Sequence, residues 1–149
     1  MPTPQPSLKG RALRLLSGRE HSRTELERKL KSFEEEPGTL ERTLNELQAK
    51  GFISEQRVIE SVLNRRAAKL GSTRIQQELQ GKGLGRDAIS ATLASLKATE
   101  AERARAVWQK KFGVPPVDAP DAARQMRFLA ARGFGADAIR SAVKGPASD

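Results

Sequence analysis

The sequence predicts an all-α protein: three tandem three-helix repeats stacked into an elongated, curved helical array. Apolar residues recur at helical spacing along nearly the whole chain, and no stretch alternates with a period of two over four or more residues. The pattern also returns after 49 or 50 residues, the signature of a stacked repeat.

Prolines at 2, 4, 6, 37, 115, 116, 120 and 146 leave residues 38 to 114 free of the strongest helix breaker. Within and around that window run Leu26/Leu30/Phe33, Leu40/Leu44/Leu47, Val58/Ile59/Val62/Leu63, Ile75/Leu79, Ile89/Leu93/Leu96, Ala104/Val107/Trp108, Met126/Leu129 and Ile139/Val143. Helices are therefore predicted near 9–17, 23–34, 39–50, 55–70, 73–82, 86–97, 100–112, 119–132 and 136–144. Gly18, Gly51, Gly71, Gly83, Gly113, Gly133 and Gly145 each follow a periodic segment and serve as stops. Ser22 with Glu25, and Thr99 with Glu102, fit the capping box, while Ser54 and Ser72 are N-cap candidates.

The repeat is nearly literal in its second half. A shift of 49 carries Leu26, Leu30, Leu40, Leu44 and Leu47 onto Ile75, Leu79, Ile89, Leu93 and Leu96. A shift of 50 carries LxxxGLGRDAI, from Leu79, onto LxxxGFGADAI, from Leu129. The units are 8–52, 53–98 and 99–145, after an N-terminal flexible segment 1–7 and before a tail 146–149. One such unit is too small to bury its own apolar faces, so neighbours must stack. Glu34–Pro37 and Val114–Asp118 break the period and read as loops.

Composition narrows the function. The 149 residues carry 27 Lys and Arg against 18 Asp and Glu, a net charge of +9. With no cysteine and the single His21, neither disulfides, thiolate metal sites, thiol nucleophiles nor histidine cages are available. One Trp, five Phe and no Tyr make a poor platform for stacking single-stranded bases. No apolar run approaches 20 residues and the start lacks a signal-peptide core, so the expected compartment is the cytoplasm, with no membrane partner. Glu25, Glu41, Glu55, Glu100 and Glu102 read as caps and helix-dipole partners rather than catalytic acids, and His21 reads as an exposed loop residue. Gly81-Lys82-Gly83-Leu84-Gly85 lacks the phosphate-loop pattern, so no ATP site, cofactor, metal or catalytic residue is expected.

Residues 50 to 89 resemble the RecX family, regulators of the RecA recombinase. The resemblance rests on Lys50-Gly51-Phe52-Ile53, an acidic residue followed by Arg57, the pair Arg65-Arg66, the run Gly71-x-x-Arg74-Ile75, and Glu78-Leu79-x-x-Lys82-Gly83. Val58-Ile59 stands where the family pattern has an aromatic followed by a small residue. The resemblance implies a non-enzymatic protein that binds the RecA filament along its helical groove. It also implies inhibition of filament growth, ATP hydrolysis, strand exchange and coprotease activity.

The cations are the candidate binding residues. Arg65, Arg66 and Lys69 are predicted on one long helix, with Arg74 starting the next, and Lys82 and Arg86 complete the middle unit. The third unit adds Arg103, Lys110, Lys111, Arg124, Arg127 and Arg132. The expected partner of a monomeric chain is the RecA filament, with single- or double-stranded DNA as a further partner through phosphates. The alternative is a helix-turn-helix-like DNA-binding protein acting through nonspecific phosphate contacts. Its reading helices would be 39–50 and 86–97, which carry Glu41 and Glu46 or mostly Ala, Ser and Thr, so base reading is disfavoured.

Overall fold

The computed structural model of the chain describes residues 4–144. Among them lie nine α-helices and no strand: α1 (Leu8–Gly18), α2 (Arg23–Leu30), α3 (Thr39–Ala49), α4 (Glu55–Arg66), α5 (Ser72–Gly81), α6 (Arg86–Lys97), α7 (Glu100–Lys111), α8 (Ala119–Ala131) and α9 (Ala136–Val143). The expected tail 146–149, Gly145 and the first three residues of the segment 1–7 lie outside the described residues.

Two helices stop early. The helix expected over 23–34 ends at Leu30 and tightens into a 3₁₀ turn, Lys31–Phe33. The helix expected over 55–70 ends at Arg66, where the Lys69 and Leu70 amides both donate to the Arg66 carbonyl, at 2.9 and 2.8 Å, and close a turn. Beyond that turn the Gly71 N–H donates to the Arg132 carbonyl at 2.8 Å, and the Ala67 carbonyl accepts from the Arg103 guanidinium at 2.9 Å.

The Ser22–Glu25 capping box forms in both directions, and Ser54 accepts from the Arg57 amide at 3.2 Å. Two other cap assignments are corrected. Thr99 has φ −115 and ψ 2, outside the extended backbone of a cap, and its hydroxyl accepts from Arg103 Nε at 3.2 Å. Ser72 is the first residue of α5, and the Glu100 carboxylate takes both its N–H, at 2.9 Å, and its hydroxyl, at 2.8 Å. A carboxylate is the stronger acceptor, and its charge favours a helix start.

The chain forms two compact units. One takes the chain up to Ser61 together with Gly81–Leu84; the other takes Val62–Gln80 and the chain from Gly85 onward. In the first, α1 packs on α2 and α3 around Ala12, Leu26, Leu30, Leu40, Leu44, Leu47 and Ile53. In the second, α9 packs on α7 and α8 around Trp108, whose indole N–H donates to buried Gln125 at 2.7 Å. Burying an indole without that acceptor would leave a costly orphan donor.

The same docking recurs in each unit. In the first, Ser22 Oγ donates to the Lys82 carbonyl at 2.6 Å and Arg28 Nη1 to the Gly81 carbonyl at 2.7 Å. In the second, Gly71 and Thr73 amides donate to the Arg132 and Gly133 carbonyls at 2.8 and 3.1 Å, and Arg74 Nη1 donates to the Ala131 carbonyl at 2.8 Å. Ser22 and Gly71 are equivalent under the 49-residue shift, and Lys82-Gly83 and Arg132-Gly133 under the 50-residue shift. Gly83 and Gly133 both take left-handed backbone, at φ +71 and +91, which glycine adopts without steric cost. Gly71 is glycine for another reason: a Cβ there would fall 2.3 Å from the Gly133 carbonyl carbon and the Phe134 nitrogen.

Replacing Gly71 by Ala should cost about 2–3 kcal/mol, because backbone on both sides must move. Gly81→Ala, whose added methyl meets nothing within 4 Å, should stay within about 1 kcal/mol of wild type, on the stabilising side. Urea midpoints of the two variants check this; equal midpoints would show that the close approach carries no energy.

Candidate partner-binding surface

Three of the twelve candidate cations are used inside the protein. Arg103 spends its guanidinium on backbone carbonyls, donating to Ala67, Leu70 and Leu96 at 2.9, 2.8 and 3.1 Å. Lys82 donates to Glu25 at 3.2 Å, with only 13% and 12% of the two side chains exposed. Arg74 holds the Ala131 carbonyl, and its stem lies over Gly133. Arg65 and Arg66, in the last turn of α4, share the Glu78 carboxylate at 3.6 and 3.1 Å. These pairs are exposed, so each contributes at most about 1 kcal/mol and yields readily to a partner's anion. Arg86 and Arg127 are exposed, and exposed Arg124 pairs with Asp121 at 2.7 Å beside the Phe112 ring.

Lys69 is not on the helix with Arg65 and Arg66, as expected, but in the turn after it. That placement gives it other neighbours. Lys69, Lys110, Lys111 and Arg132 line one groove of about 520 Å³ within the second unit. Its floor is apolar: Ala68, Ala106, Val107 and Phe128. Arg132 stacks over the Phe128 ring with its guanidinium carbon 4.3 Å from the centroid, and Lys111 Nζ lies 5.3 Å from the same ring. Arg132 Nε is buried and has no acceptor among the described residues. Sequence reasoning found the four cations and missed the floor. The available signal was the spacing of Val107 with Lys111 and of Phe128 with Arg132, each four apart on a helical pattern.

Among the described residues no three His, Asp or Glu side chains come together as a metal site, and no helix is long and apolar enough to cross a membrane. His21 is corrected: it is buried, 2% exposed, rather than on the surface. The Arg19 carbonyl, 3.1 Å from Nδ1, can only accept, so Nδ1 carries the proton; Nε2 then accepts from the Lys29 ammonium at 3.0 Å. Burial, with the charges of Arg19 and Lys29, pushes the imidazole below its ordinary 6.5, against an opposing effect of the Arg19 carbonyl. Beside it, burial pushes the Glu25 carboxyl up, but hydrogen bonds from Arg19, the Ser22 amide and Lys82 prevail and hold it at about 2.

The description "RecX, first three-helix domain" fits residues 9–47 and "RecX, third three-helix domain" fits residues 98–143. A protein named Regulatory protein RecX from Leptothrix cholodnii is 51% identical over 141 residues, 95% of this chain and 90% of its own length. The chain belongs to the RecX family. RecX from Herminiimonas arsenicoxydans is 49% identical over 140 residues, 94% of this chain and 93% of its own length, and RecX from Pseudomonas syringae pv. tomato is 40% identical over 93% of this chain and 90% of its own length. The crystal structure of RecX from Lactobacillus salivarius superposes with a TM-score of 0.73 over 92% of each chain at 20% identity, which establishes the shared all-helical repeat fold.

The folded His21 binds its proton less tightly than the unfolded imidazole, so below 6.5 the unfolded state takes up the extra proton. Stability should therefore fall as pH drops through and below 6.5, and His21→Gln should flatten that slope. Glu25 acts separately: its contribution is present above the ordinary carboxyl value of 4.5 and is lost as pH falls toward about 2. Urea midpoints across the two windows test both; an unchanged slope in the His21 variant would remove the imidazole as its source.

Proposed function

We infer that this chain is a non-enzymatic regulator that binds the RecA nucleoprotein filament along its groove and inhibits filament growth, ATP hydrolysis, strand exchange and coprotease activity in the cytoplasm. Family membership, at 51% identity across nearly the full length of a RecX protein, carries the reading. The surface is in keeping with it. Arg65, Arg66, Lys69, Arg86, Lys110, Lys111 and Arg127 are exposed cations suited to acidic protein surfaces and to the phosphates of an enclosed strand. Of the three repeats, 8–52, 53–98 and 99–145, the second and third carry these cations in succession, which suits a filament of identical protomers.

The absence of catalysis is supported by the state of the acids. Glu25 and Glu46 are both held at about 2 by cations and hydrogen bonds, the reverse of what a general acid near neutral pH requires. Glu100 caps α5 and Asp121 accepts from Arg124.

Adding the purified chain to RecA, ATP and single-stranded DNA should inhibit ATP hydrolysis at ratios well below one per RecA protomer; no inhibition at equimolar chain would overturn the reading. Arg65→Ala, Arg66→Ala and Lys69→Ala together should leave helicity and melting unchanged while weakening filament binding about tenfold or more. Unchanged binding would remove these three from the contact surface.

A further inference from the structure

We propose that the groove between the α4–α5 turn, α7 and α8 binds an acidic segment of a protein partner that carries an aliphatic side chain among its carboxylates. This deepens the regulator reading, on which it rests for the partner's identity, and the groove's chemistry can be tested apart from it.

The first argument is charge. Lys69, Lys110, Lys111 and Arg132 line the groove and no carboxylate does, so their mutual repulsion is uncompensated until an anion enters. Arg132 lines the groove, and its Nε is buried without an acceptor among the described residues, so its guanidinium has donor capacity left for a carboxylate. The cations come from three separate elements, so an anion between them meets charge from several sides at once.

The second argument is the floor, which separates a peptide from a nucleic acid. Ala106 and Val107 present methyl groups at the base of the groove, and a phosphodiester backbone has nothing apolar to set against them. Base stacking on Phe128 is blocked as well. Arg132 covers the ring at 4.3 Å, Lys111 lies over it at 5.3 Å, and Phe112 meets it edge-on with centroids 5.4 Å apart. An aliphatic side chain flanked by carboxylates satisfies floor and rim together, and about 520 Å³ lies within the range of peptide- and ligand-sized clefts.

The backbone geometry supports a preformed site. Lys69 stands two residues before Gly71, and the Arg132 carbonyl is the acceptor for the Gly71 amide at 2.8 Å, so the docking that joins the two turns holds the backbone at or beside two of the four cations. Binding therefore requires little ordering of the backbone, which favours affinity.

The test uses the full chain and a short fluorescein-labelled peptide in which Leu stands between pairs of Asp, followed by fluorescence anisotropy. Wild type should bind it. Lys69→Glu with Lys110→Glu should weaken binding about tenfold or more, and Ala106→Asp, at an exposed floor position, should do the same while leaving the melting curve intact. A control peptide with Ser in place of Leu should bind at least about tenfold more weakly. Equal binding of the Ser peptide, indifference to the variants, or displacement by oligothymidine at equal affinity would overturn the proposal, the last in favour of a phosphate site. In the RecA ATPase assay the double-Glu variant should lose inhibition together with peptide binding. Retained inhibition would overturn the groove as the filament contact and leave the regulator reading standing; peptide binding by a wild-type chain that does not inhibit RecA would do the reverse.

Discussion

The close backbone contact between the turn at Gly71 and the turn at Gly133 is the constraint from which the second unit is built. With no Cβ on either residue, amide meets carbonyl directly, and Arg103, Glu100 and Arg74 hold further backbone groups of the two turns. That contact lies between the turn that ends α4 at Arg66 and the start of α5, which Glu100 caps, and beside it Arg74 reaches the Ala131 carbonyl. The first unit repeats the device with a hydroxyl where the second has an amide. Ser22 Oγ takes the Lys82 carbonyl, and Gly83 leaves room for Thr24, whose hydroxyl would lie 2.2 Å from an added Cβ.

The cations divide according to this architecture. Those beside the dockings are held inward: Arg103 bridges carbonyls where α4 and α6 end, Lys82 meets Glu25, and Arg74 locks a turn. Losing any of these would leave carbonyls or a carboxylate short of partners, at about 1–3 kcal/mol for each buried group. Those farther out, such as Arg66 with Glu78 and Arg124 with Asp121, pair across exposed surface, where a partner's anion competes on nearly equal terms. A net charge of +9 thus contains two populations with different physical duties.

The helices were legible because a 3.6-residue period survives every loop in the chain, and the repeat was legible because Leu79–Ile89 is nearly spelled again at Leu129–Ile139. What the sequence concealed are choices made by distant groups. Nothing near Leu70 announces that the next amide will find its acceptor at Arg132, and nothing near Ser72 announces Glu100. His21 sits in a polar stretch, yet α2 begins two residues later, at Arg23, and brings Lys29 to one ring nitrogen while the Arg19 carbonyl meets the other. The groove was half legible. Its cations stand out by count, whereas its floor is made of two alanines, a valine and a phenylalanine that read locally as core.

Turns between helices are ordinarily the softer joints of a helical protein, open to water and first to lose protection. Here Gly71 and Gly133 are buried, and the amides of Gly71 and Thr73 are held by carbonyls from a different turn. The loop after α7 contrasts with them: Val114 and Val117 stand 63% and 84% exposed, and the backbone there is held by the Gln125 and Asp121 side chains. In mechanical language, the second unit is riveted at its glycines: the turn that would ordinarily open first is clamped by backbone of another turn, so opening it requires breaking both together.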